Sequence, residues 1–156
     1  MFRLLLTCAC LLSLPHLATA STSEALNPKA RSRSGASGLW QFMYLTGKQY
    51  GLEVTSYMDE RQDPLKATKS ACEYFVSLYD AFGDWNLVLA AYNCGPGNVN
   101  KAIRRSGYKR DYWQIYPYLP RETRGYVPAF IAVNYIMSYP NEHNMIPDKP
   151  NSTFFD

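Results

Sequence analysis

Four short stretches carry the groups with enough chemistry to build a site. Glu24 lies in SEALNP (23–28), Gln41 in SGASGLWQFM (34–43), Tyr92 and Asn93 in LAAYNCGPGNV (89–99), and Glu122 in PRETRGYV (120–127). A single carboxylic acid kept neutral by an apolar surround can protonate a leaving oxygen and then take a proton back from a hydroxyl. Amide, hydroxyl and aromatic groups around it would orient a polar substrate. Gln41 is the most telling of these residues. Its neighbours are Leu39, Trp40, Phe42 and Met43, and a polar amide among them costs burial free energy unless something uses it. Tyr92 reads equally well as a packing residue with its hydroxyl at the surface, and Glu122 as a favourable first-turn charge. Metal chemistry has little support: no CxxC or HExxH spacing occurs, and beyond residue 20 the single histidine is His143, in a proline-rich tail. Neither a metal site nor a cofactor is expected.

The elements that would position these groups read as helical nearly throughout. Asp63 and Pro64 make a capped start, and Leu65, Cys72, Phe75, Leu78, Tyr79 and Phe82 recur at helical spacing until Gly83. A second helix from Trp85 to Tyr92 ends where Gly95, Pro96 and Gly97 demand a turn, and Val99 to Arg105 resumes a helix closed by Gly107. After the tyrosine-rich connection YWQIYPYLP, a run from Arg121 to Tyr139 puts Val127, Phe130, Ile131 and Asn134 on one stripe. Pro128 inside that run marks either a kink or the first turn of a helix that begins later than Arg121. Ser37 to Tyr50 is predicted to be a further helix. No alternating strand pattern of useful length is present, so the class is all-α, a compact orthogonal bundle.

Residues 1–20 read as a secretory signal: a basic start at Arg3, an apolar run from Leu4 to Leu14 too short to span a bilayer, and Ala18-Thr19-Ala20 as a small-x-small cleavage site. Lipoprotein processing at Cys8 or Cys10 is disfavoured, because either cysteine would cut the apolar run nearly in half. Residues 21–139 then form one domain and 140–156 an extended tail with Pro140, Pro147 and Pro150. The composition is 47% hydrophobic and 15% aromatic, which excludes a disordered chain. The formal charge of +3 becomes +2 without Arg3, too mild to argue for nucleic acid. Lys101, Arg104, Arg105, Lys109 and Arg110 cluster enough to suit an anionic polymer, although a solvated helix face explains them more simply. Cys72 and Cys94 could pair in an oxidising compartment or serve as small buried hydrophobes.

SGASGLWQFM, LAAYNCGPGNV and PRETRGYV, in that order and with Asn27 and Pro28 ahead of them, resemble the catalytic domain of the lytic murein transglycosylases, the soluble and membrane-bound D types in particular. The resemblance runs from about residue 27 to about residue 136. It implies a goose-type lysozyme-like helical fold. It also implies non-hydrolytic cleavage of the bond between N-acetylmuramic acid and N-acetylglucosamine in peptidoglycan, leaving an anhydro end. On this resemblance Gln41 and Met43 line the groove, Ser32 contacts the sugar, Tyr92 hydrogen-bonds near the catalytic acid, and Asn93 and Glu122 shape the site. Trp40, Trp85 and Trp113 are expected in the core rather than as sugar platforms. The implied partner is the glycan strand of peptidoglycan, met by a monomer in the periplasm or cell envelope, with no membrane span after signal cleavage.

SEALNP departs from the family pattern. In the family the catalytic Glu is followed directly by Ser, with the Pro five residues after the Glu. Counting back from Pro28 puts that Glu on Ser23 and its Ser on Glu24, so the two are exchanged here. On a helix such a slip turns a side chain by about 100° and moves it about 1.5 Å. The family's Glu also ends a helix, which cleavage after Ala20 would remove. The expectation is therefore a domain lacking the family's first helix, with Glu24 as the candidate acid and an unmatched apolar face on its neighbours. Two function classes follow, a transglycosylase and a peptidoglycan-binding remnant without the chemistry. A true hydrolase, which would need a positioned water, is a third.

Overall fold

Asp63 starts the longest helix because its side chain accepts from the backbone N–H groups of Leu65 and Lys66 at 2.9 and 3.0 Å, with Pro64 preset for the first turn. The computed structural model describes residues 27–144. Its helices are α1 (Tyr44–Gln49), α2 (Pro64–Phe82), α3 (Trp85–Cys94), α4 (Pro96–Arg105), α5 (Tyr112–Ile115) and α6 (Arg121–Ser138), with 3-10 turns at Glu60–Gln62 and Tyr116–Tyr118. Among the described residues β-pairing is limited to isolated bridges, so the all-α class holds. No helix among them is long and apolar enough to cross a membrane. The signal sequence, Glu24 and the expected absence of a first helix all fall outside the described residues. So does the tail beyond 144; its start, residues 139–144, runs in bends and turns rather than extended.

The core is organised around α3. Leu87, Val88, Leu89, Ala90 and Ala91 are all buried, so this helix has apolar neighbours nearly all round, and it packs against α2, α4 and α6. Asp84 caps it by accepting from the N–H of Leu87 at 2.9 Å. Helix α2 turns Ala67, Ser70, Ala71, Phe75, Leu78 and Phe82 inward, and α4 contributes Val99, Ala102 and Ile103. Each large side chain among these stabilises the fold by about 1.5–3 kcal/mol through burial. The predicted stripe of α2 is corrected at two positions, where Leu65 is 84% and Tyr79 40% exposed.

Two larger corrections concern the N-terminal part and the tryptophans. Ser37 to Tyr50 is not one helix, since only Tyr44–Gln49 is helical. Ser37 and Phe42 instead exchange both backbone hydrogen bonds at 3.1 Å across a tight turn, with Gly38 at φ +82° and Gln41 at φ +50°. These left-handed positions cannot continue a helix. Trp40 is buried, its indole N–H donating to the Thr68 hydroxyl at 2.8 Å, but Trp85 and Trp113 are 56% and 55% exposed, so the core expectation fails for both.

Pro128 neither starts nor ends α6. The helix begins at Arg121 and runs through it, although proline has no N–H to give the Arg124 carbonyl. The buried Tyr112 hydroxyl takes that role, donating to Arg124 O at 3.1 Å and lying 3.3 Å from Thr123 O. This is a side-chain repair of a broken helical ladder.

Candidate functional site

The loop that carries Gln41 is built on one buried arginine. Arg61, in the 3-10 turn, makes a two-pronged pair with Asp59 (Nε to Oδ1 2.9 Å, Nη2 to Oδ2 2.8 Å). Its Nη1 donates to the carbonyls of Gly35 and Phe42, each at 3.0 Å. The backbone of the same residue presses on Gly38, where an added Cβ would lie 1.7 Å from Arg61 O. Asp59 is held below its usual carboxylate range, first by the hydrogen bond from Arg61 and then by the charges of Arg61 and Arg31, against the opposing effect of burial. Glu60 is also lowered, first by Lys66 and then by accepting from the N–H of Glu53. Both carboxylates are thus stabilised as anions, the reverse of what a proton donor requires. Sequence reasoning missed this hub, because MDERQDP reads as a charged surface run. The signal was the alternation of acid and base beside the Asp63–Pro64 cap.

Within the loop, Ser32 Oγ accepts from the N–H of Ala36 at 2.9 Å, closing the turn that presents the loop. Gln41 bends back so that its side-chain nitrogen donates to Gly38 O at 2.8 Å and approaches Ala30 O at 3.4 Å. The amide that looked expensive in an apolar run is therefore paired with the loop's own backbone. Met43 is exposed at the N-terminal end of α1.

Tyr92 joins this loop to the helical core. Its hydroxyl donates to Trp40 O at 3.0 Å, next to Gln41, while its ring stacks on Phe75 at 4.6 Å and meets Tyr74 at 5.3 Å. Asn93, the next residue of α3, accepts through Oδ1 from the Thr123 hydroxyl at 2.9 Å. Thr123 is buried in the first turn of α6, directly after the exposed Glu122. Burial pushes the Cys94 thiol up, partly offset by a hydrogen bond with Thr123, and both Cys94 and Cys72 are free thiols. Burial likewise pushes Tyr112 up to about 12, so its hydroxyl stays protonated and able to donate.

Ser32, Gln41, Tyr92 and Asn93 therefore belong to one connected set, running from the 30–42 loop through the end of α3 to α6. Met43 and Glu122 sit at its exposed margins, and Glu24 lies outside the described residues. Among the described residues no cluster of three His, Cys, Asp or Glu could hold a metal. Ser32 Oγ, Gln41 Nε2, Tyr92 OH and Asn93 Oδ1 are each engaged in a hydrogen bond within the chain.

Residues 17–115 match the family described as the transglycosylase SLT domain. The chain belongs to this family. The SLT match begins inside the expected signal sequence and covers the 30–42 loop and α1 to α5. Over 73% of its length the SLT chain is 41% identical to 26% of membrane-bound lytic murein transglycosylase D of Escherichia coli strain K12. It is 32% identical, over 86% of its length, to 21% of the soluble lytic murein transglycosylase of the same strain. The solved structure of the 70 kDa soluble lytic transglycosylase of Escherichia coli aligns with a TM-score of 0.56 and 29% identity, covering 78% of this chain and 22% of that one. The lysozyme-like helical class expected from the motifs agrees with that likeness. The chain spans about a quarter of the length of these relatives.

Proposed function

We propose that this SLT-family chain is a lytic transglycosylase that cleaves the bond between N-acetylmuramic acid and N-acetylglucosamine in peptidoglycan, in the periplasm or cell envelope. The observation that carries the reading is the 41% identity to a lytic murein transglycosylase over 73% of the chain. The chemistry balances with one carboxyl. The acid gives its proton to the glycosidic oxygen as the bond to C1 breaks, and the sugar's own 6-hydroxyl oxygen bonds to C1. The carboxylate then takes the hydroxyl's proton and is restored. Water is not consumed, so the second carboxylate of most glycosidases is not required. Glu24 is the candidate for this role. Ser32, Gln41 and Met43 would meet the strand on the loop side, with Asn93 and Glu122 on the α6 side, and Tyr92 would steer the acid.

The order Ser23-Glu24, reversed from the family pattern, favours a second reading in which the chain binds the strand without cutting it. Incubating the purified chain with peptidoglycan and resolving the soluble products by mass spectrometry separates the two. Anhydromuramyl products that vanish in Glu24→Gln make Glu24 the acid. Reducing-end products would mean hydrolysis, and a folded protein that releases nothing while holding the glycan would mean the binding reading.

A further inference from the structure

Five cations crowd a ten-residue stretch that has no part in the candidate site. Lys101, Arg104, Arg105, Lys109 and Arg110 fall within residues 101–110, and no Asp or Glu occurs between Asp84 and Asp111. On α4 the buried side chains are Val99, Ala102 and Ile103. At about 100° per residue, Lys101, Arg104 and Arg105 share an arc of about 100° on the opposite side of the helix. All three are exposed. The chain then folds back on the helix end: the N–H of Tyr108 donates to Ile103 O at 2.8 Å, which brings the exposed Lys109 and Arg110 beside the last turn. Arg110 Nη2 donates to Ala81 O at 2.8 Å. None of the ion pairs among the described residues involves any of the five. Arg104 and Arg105 lie in the last turn, where they offset the negative end of the helix, but that accounts for only two of them. The charge is also lopsided. Residues 101–110 carry +5, whereas the other 146 residues hold eleven Lys and Arg against thirteen Asp and Glu, a formal −2. An anionic surface attracts this end of the molecule and turns the rest away.

We propose that the outer face of α4 and the 106–110 turn dock the protein on an anionic phospholipid bilayer. Two observations favour a lipid surface over an anionic polymer. The cations stand on the outer arc of a helix and on an exposed turn beyond it, a convex arrangement that meets a flat surface with several charges at once. Tyr108, in that turn, is 74% exposed and held at φ +63°, a backbone position where a bulky residue is strained. An amphipathic tyrosine flanked by cations is the residue type that settles at the level of lipid headgroups. Such docking is peripheral and electrostatic, and it goes beyond the proposed function without depending on it.

The test is cosedimentation of the full chain with vesicles of phosphatidylcholine alone and with vesicles containing about one-third phosphatidylglycerol. The chain should bind the anionic vesicles, release them as salt rises, and leave the neutral ones. The triple variant Lys101→Gln, Arg104→Gln, Arg105→Gln should weaken binding by about 100-fold, about fivefold per cation. A control with the same net charge, Lys29→Gln, Arg33→Gln, Lys69→Gln, removes exposed cations elsewhere and should lose less than about threefold. Tyr108→Asn, which tolerates the left-handed turn, should weaken binding about two- to fivefold. Equal losses in the two triple variants would mean that net charge alone acts, and would overturn the docking face. So would equal affinity for neutral vesicles, or undiminished affinity in Tyr108→Asn. Sedimentation with peptidoglycan but not with vesicles, abolished in the first triple variant, would overturn it in favour of an anionic polymer. The vesicle results leave the proposed cleavage standing or falling on its own products.

Discussion

Arg61 donates from three nitrogens, to Asp59 and to two loop carbonyls, so removing its side chain leaves the Asp59 carboxylate only Arg31 and unties the loop together. Arg61→Met should cost about 1–3 kcal/mol in urea unfolding, because the Gly35 and Phe42 carbonyls lose their donor while Asp59 keeps only the more exposed Arg31 at 3.3 Å. Arg61→Lys should recover little, since an ammonium cannot reproduce the fork. Acid sensitivity follows from the same pair. The folded-state pKa of Asp59 lies below its ordinary 3.8, so the stabilisation is complete above that value and is lost as pH falls through the folded pKa. Urea midpoints measured downward from pH 5 should drop most steeply below about pH 4. Asp59→Asn should flatten that drop, although Glu60, shifted the same way, keeps part of it. Little of this was readable beforehand. Gln41 was legible as an unusual amide, but its φ of +50° was not, because nothing in its residue type requires a left-handed backbone.

Among the elements, α2 and α3 were legible because their caps are local: Asp63-Pro64 and Asp84 each sit directly before an apolar run. The 37–42 turn was not. Its apolar residues mimic helical spacing, and what overrides them is a non-local contact, the approach of Arg61 O to Gly38. Gly38→Ala should therefore be among the most damaging single changes, combining φ +82° with a 1.7 Å clash against backbone. Gly95→Ala, at φ +87° with open space around it, should cost only the strain, about 1–3 kcal/mol. Helix α6 allows a cycle of its own. Tyr112→Phe should destabilise by about 1–3 kcal/mol by stranding the Arg124 carbonyl. In a Pro128→Ala background the loss should be smaller, since an alanine N–H can satisfy that carbonyl; equal losses in the two backgrounds would refute the repair.

At the scale of the whole molecule, the buried core is centred on α3, and the residues proposed to meet the glycan lie around its C-terminal end. Leu87→Ala should cost about 2–5 kcal/mol in the same unfolding assay, as for other buried leucines. Arg104 and Arg105, exposed and outside any ion pair among the described residues, should change stability by less than about 0.5 kcal/mol when replaced by Gln. The Arg61 hub has a further bearing on the order in which the protein takes shape. The Ser37–Phe42 pairing joins residues close in sequence, whereas the grip on Gly35 and Phe42 waits for a side chain 26 and 19 positions later in the chain. Closing that longer loop costs entropy that only the finished 3-10 turn and α2 repay. The 30–42 loop should thus be a late arrival in folding and an early departure in unfolding. Its amides should exchange with solvent by local opening, well before those of α3.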